Sequence, residues 1–132
     1  MSKTALIVED EIFVALDLER ILTDAGYTVA AIAADRASAM EAAPRADFAF
    51  VDVNLRDGPT GPEIAHRMSS DYGVRVVFVT ANPGQIAHPD GALGYIRKPF
   101  SEASILAAAK LAGDGEPVVH DQLRPLGEVS AG

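Results

Sequence analysis

The chain is 132 residues long, with 48% hydrophobic and 23% charged residues, a composition that fits one packed domain and excludes disorder over most of its length. It has no cysteine, which excludes disulfide frameworks, thiolate metal sites and cysteine nucleophiles. A net charge of −8 with only three lysines, Lys3, Lys98 and Lys110, argues against nucleic acid as a direct partner, because phosphate backbones are met by clustered cations.

The N-terminal MSKTALIVEDE holds a short apolar run followed by three acids, too little for a signal peptide or a membrane span, so the expectation is a cytoplasmic protein without membrane contact. Residues 5–8 read as a first buried strand. A helix over 11–25 follows, with Val14, Leu18, Ile21, Leu22 and Ala25 on its apolar face and Gly26 as its stop. A strand over 29–33 comes next, then a helix over 36–43 capped by Asp35 with Pro44 just beyond its end. After a strand over 48–51, a helix starts at Pro62, turns Ile64, Ala65 and Met68 inward and ends before Gly73. Strands over 76–79 and, more weakly, 93–96 precede a last helix, 102–112, capped by Ser101. Beyond it periodicity is lost, so 113–132 reads as a tail without a separate effector domain, and 1–112 as the domain.

Strands and helices alternating at this spacing predict an α/β, doubly wound, five-stranded parallel sheet, because right-handed crossovers place the helices on both faces. In such a sheet the residues that follow each strand gather along one edge, where these folds bind ligands. The residues delivered there are Glu9 and Asp10, Asp52, Thr80, and Arg97 with Lys98. Gathered carboxylates repel unless compensated, and Mg²⁺ binds through one or two carboxylates while taking phosphate oxygens as further ligands. A Mg²⁺-assisted phosphoryl-transfer site follows, with Asp52 as nucleophile and Lys98 and Thr80 holding the oxygens in transit. Each fragment alone has an ordinary structural reading, such as helix-capping acids or a strand-ending threonine. Their occurrence together at successive positions on one edge is what carries the assignment.

On the fragments LIVEDE, FVDVNL, VFVT and YIRKPF, over about residues 4–112, the chain resembles the receiver domains of two-component response regulators. The resemblance implies a flavodoxin-like sheet of order 2-1-3-4-5. It implies that Asp52 accepts a phosphoryl group from a histidine kinase or phosphotransfer protein, and that a downstream protein partner responds or the chain serves as a phosphate shuttle or sink. It further implies that Asp10 ligates Mg²⁺ directly and Glu9 through water, and that Asn54 lends a backbone carbonyl. Thr80 is then the switch hydroxyl, Tyr95 the mobile aromatic, and Pro99 follows a cis bond from Lys98.

Two departures stand out. Gly61 comes one residue later than in the commonest receiver arrangement, and the interval 81–97 contains Pro83, Gly84, Pro89 and Gly91, so the helix before the last strand should be short, distorted or absent. The rival readings are an interaction module that is never phosphorylated, disfavoured by the full set of acids, hydroxyl and lysine, and an aspartyl-phosphate phosphatase. The latter wants a second acid two residues after the nucleophile, where Asn54 stands, so the chain is expected not to be an enzyme beyond its own phosphorylation and dephosphorylation. His66, His88 and His120 lack ligand spacing and read as surface residues.

Overall fold

The fold, described for residues 3–86 and 91–126 in a computed structural model, follows from the apolar runs being long enough to bury on both faces. In chain order it comprises β1 (Thr4–Val8), α1 (Ile12–Asp24), β2 (Thr28–Ala33), α2 (Arg36–Ala42), β3 (Phe48–Val51), α3 (Gly61–Tyr72), β4 (Arg75–Thr80), β5 (Ala92–Arg97), α4 (Glu102–Asp114) and β6 (Leu123–Pro125). The sheet runs β2-β1-β3-β4-β5-β6, with the first five strands parallel and β6 antiparallel to β5.

Alternate residues of the buried strands feed two cores. Leu6, Val51 and Phe78 pack under Ile64 and Met68 of α3, while Ile7, Phe50 and Val79 pack under Leu18 and Leu22 of α1 and Ile105 of α4. The helices start and stop where local chemistry dictates. Asp35 accepts a bond from the Ser38 amide, Ser101 and Ser104 form a reciprocal capping box, and Gly73 and Gly115 end α3 and α4 with positive φ. Two details differ from the sequence reading: Ala25 caps α1 in solvent instead of extending its buried stripe, and Pro44 sits within a 3-10 turn, Ala43–Arg45, that continues α2.

The expected weak helix before the last strand is reduced, among the described residues, to a 3-10 turn, Pro83–Gln85. His88 and Pro89 lie outside the described residues, as do 127–132.

The structureless reading of 113–132 requires correction, because 123–125 form a sixth strand on the edge of β5, with Gly94 opposite Pro125, Tyr95 opposite Arg124 and Ile96 opposite Leu123. Leu123, 8% exposed, anchors it in the core, and the Leu126 amide donates to the Leu93 carbonyl at 3.1 Å. So short a strand with a proline in it leaves no alternation to read. Its seat depends on Gly94, where a Cβ would lie 2.5 Å from the Arg124 carbonyl oxygen. Gly94→Val should therefore detach β6 while the core stays folded. Amide exchange tests this: the Leu126 amide should become fast and the β3 amides remain protected, and an unchanged Leu126 amide would contradict it.

Candidate functional site

Parallel register lines up the strand ends, with Val8 opposite Val51, Val51 opposite Phe78, and Thr80 opposite Arg97. Backbone bonds then fix the residues that follow. The Glu9 amide donates to Ala33 O at 2.8 Å, the Asp52 amide to Val8 O at 2.9 Å and the Lys98 amide to Thr80 O at 2.9 Å. These bonds extend the ladder one residue past each strand and pin three charged side chains over the sheet edge.

The side chains converge. Lys98 Nζ lies 2.8 Å from Glu9 Oε1, 2.9 Å from Asp52 Oδ2 and 2.9 Å from Glu11 Oε1. The other Asp52 oxygen accepts the Val53 amide at 2.7 Å, and Glu9 Oε2 accepts the Glu11 amide at 3.1 Å. Glu9 is 2% exposed and Asp52 7%, whereas Asp10 is exposed. Oxygens of Glu9, Asp10 and Asp52 all lie within 4.8 Å of one another, an oxygen-only donor set of the kind that hard divalent cations take.

Burial makes charge on Glu9 costly and pushes its pKa up to about 7 despite the opposing bonds from Lys98 and the Glu11 amide. Burial also works against charge on Lys98, but Glu9, Glu11 and Asp52 outweigh it and hold its pKa above the ordinary lysine range.

Thr80 is fully buried, and its Oγ1 accepts the Asn82 amide at 3.0 Å, leaving its own proton free to donate. The Asn54 side chain turns to Gln85, donating to Oε1 at 2.7 Å. Half-buried Tyr95 packs on the same core face as Ile86 and Leu126. The Lys98–Pro99 bond is cis. Gly61 opens α3 directly against the Asp52 carbonyl, where any Cβ would collide. Glu11 is not evident from the sequence: its residue type suits the start of a helix, and spacing carries no sign that its side chain turns back to Lys98.

Residues 5–110 match the family model described as the response regulator receiver domain. The chain belongs to the receiver-domain family of response regulators. It is 31% identical over 118 residues to the phyllosphere-induced regulator PhyR of Methylorubrum extorquens, covering 85% of this chain and 44% of that protein. It is 32% identical over 115 residues to the transcriptional regulatory protein PdtaR of Mycobacterium tuberculosis, covering 83% of this chain and 56% of that one. The chain thus spans about half the length of the curated relatives it matches. The solution structure of the receiver domain of Erythrobacter litoralis PhyR superposes with a TM-score of 0.75 at 27% identity, covering 89% of this chain and 97% of that one.

The Glu9 shift has a consequence for stability. Its folded pKa lies above its ordinary value of 4.5, so its contribution is fully present below about pH 4.5 and is lost as pH rises through about 7. In metal-free buffer, Glu9→Gln should flatten the decline in stability between pH 5 and pH 8. Urea unfolding at intervals across that range tests this, and an equal slope in both proteins would contradict it.

Proposed function

We propose that this chain is a phosphorylation switch: Asp52 takes a phosphoryl group from a histidine kinase or phosphotransfer protein, and the altered surface controls a protein partner or passes the group on as a shuttle or sink. The observation that carries this reading is the nearly buried Asp52 carboxylate, bonded to Lys98 at 2.9 Å and grouped with Glu9 and Asp10 within 4.8 Å. The ammonium pairs with one oxygen of this nearly buried carboxylate and is placed to meet a phosphoryl group arriving there.

In the reaction an Asp52 oxygen bonds to phosphorus as the donor's P–N bond breaks, and the donor imidazole departs with a proton. Lys98 meets the phosphoryl oxygens, and Thr80 donates the hydroxyl proton that its bond from Asn82 leaves free. Asp10, Asp52 and the Asn54 carbonyl would hold Mg²⁺, with Glu9 acting through water. The oxygen-only donors and their spacing fit that ion. When bound, it neutralises charge on the transferred group.

A protein donor has a surface to meet. Ile12, Phe13 and Leu16 of α1 are 55%, 83% and 45% exposed, and a groove of about 440 Å³ lined by Phe13, Val14, Pro99 and Phe100 opens beside Lys98. Thr80 and Tyr95, on adjacent strands, would relay occupancy of Asp52 to the partner-facing side. The acidic charge favours protein partners over nucleic acid. Among the described residues no helix is long and apolar enough to cross a membrane. We place the chain in the cytoplasm, with no reaction of its own beyond gain and loss of this phosphoryl group.

Incubation with Mg²⁺ and acetyl phosphate, followed by intact mass measurement, should show one added phosphoryl group. The group should be absent in Asp52→Asn and when the metal is chelated. Thr80→Ala should still take the group up while losing the spectral change that accompanies it. Equal uptake by Asp52→Asn would remove the reading.

A further inference from the structure

An ammonium has three protons to donate, and Lys98 has three carboxylates around it, Glu9, Glu11 and Asp52, at 2.8, 2.9 and 2.9 Å. At the moment of attack Asp52 is still a carboxylate, so a phosphoryl oxygen reaches Lys98 only if one of the three withdraws. Burial decides which. The Glu9 side chain is 2% exposed and that of Asp52 8%, so water cannot replace Lys98 at either, whereas Glu11 is 64% exposed, stands outside the Glu9, Asp10 and Asp52 cluster, and is solvated as it leaves.

A second, independent observation concerns α1. Glu11 is its N-cap residue, in extended conformation with φ −84° and ψ 107°, yet its side chain makes no capping bond. Aspartate or serine at that position would satisfy a free amide of the first turn. Glu11 leaves the helix start uncapped and sends its carboxylate to Lys98 instead.

We propose that Glu11 is a positioning residue, an exchangeable counter-charge that holds Lys98 over the bare Asp52 and yields its place to the incoming phosphoryl group. The proposal rests on the phosphoryl reading of the site and deepens it. While seated, Glu11 occupies the proton of Lys98 that a donor needs and places a negative charge at the mouth of the site, so it restrains uptake from anionic donors. A side chain that merely braced α1 would do neither.

The wild-type chain and Glu11→Gln are compared for phosphoryl uptake from acetyl phosphate across donor concentrations. Glu11→Gln should lower the half-saturating donor concentration by about 2- to 5-fold, the equivalent of one exposed ion pair, with little change in the limiting rate. The advantage should shrink as salt screens the exposed carboxylate, and it should vanish in a Lys98→Ala background. Uptake by Glu11→Gln identical to wild type, or the same gain without Lys98, overturns the proposal. Nitrogen-15 spectra of the three lysine ammonium groups separate this outcome from failure of the phosphoryl reading. The Lys98 Nζ resonance should shift in Glu11→Gln, and an unmoved resonance overturns the proposal whether or not Asp52 takes up phosphate. Absence of uptake in both proteins rejects the phosphoryl reading instead.

Discussion

One ammonium bonded to three carboxylates is the interaction on which the rest of the site depends. Glu9 and Glu11 from the β1–α1 connection and Asp52 from the end of β3 meet at Lys98, and two of them are nearly closed to water. Without a cation between them, such groups would repel or take up protons. Lys98 supplies the nearly buried Asp52 carboxylate with a cationic partner at 2.9 Å. The raised pKa on Glu9 reflects burial, which Lys98 only partly offsets, and the raised pKa on Lys98 reflects its carboxylate partners.

The sheet exists, in this sense, to bring that ammonium to those carboxylates. Parallel pairing in the order β2-β1-β3-β4-β5 sets β3 at the centre, so Asp52 emerges with β1 on one side and β4 on the other. The acids arrive from β1, the hydroxyl from β4 and the lysine from β5. Each is fixed by a backbone bond to the neighbouring strand, so the side chains have little freedom left to lose when they gather. Gly61 completes the enclosure by letting α3 begin in contact with the Asp52 carbonyl, with the Val53 Cα only 2.7 Å from where a Cβ would sit. The glycine that looked displaced in the sequence stands where the backbone approach is tightest.

Legibility followed from how each feature is encoded. Central parallel strands bury both faces, so 5–8, 48–51 and 76–79 stood out as continuous apolar runs, and the sheet edge with its charged residues came with them. Asp35 and Ser101 declared their helices because capping chemistry is local. β6 did not show, because three residues with one buried side chain have no period. Its seat was encoded far away, in the missing side chain of Gly94. Glu11 was hidden for a related reason: its residue type suits a helix start, and only the three-dimensional position of Lys98 reveals where its carboxylate goes. The segment after Thr80 was legible as a poor helix former, since its prolines and glycines act locally.

Because Lys98 draws on the same carboxylates that the proposed divalent cation would, the two would compete in the resting protein. Lys98 stabilises the bare cluster, and a metal would have to displace part of that interaction to bind. The most direct measurement is calorimetric titration of Mg²⁺ into the wild-type chain and into Lys98→Met at equal ionic strength and pH. Tighter Mg²⁺ binding by Lys98→Met is the result this account predicts, and equal or weaker binding would contradict it.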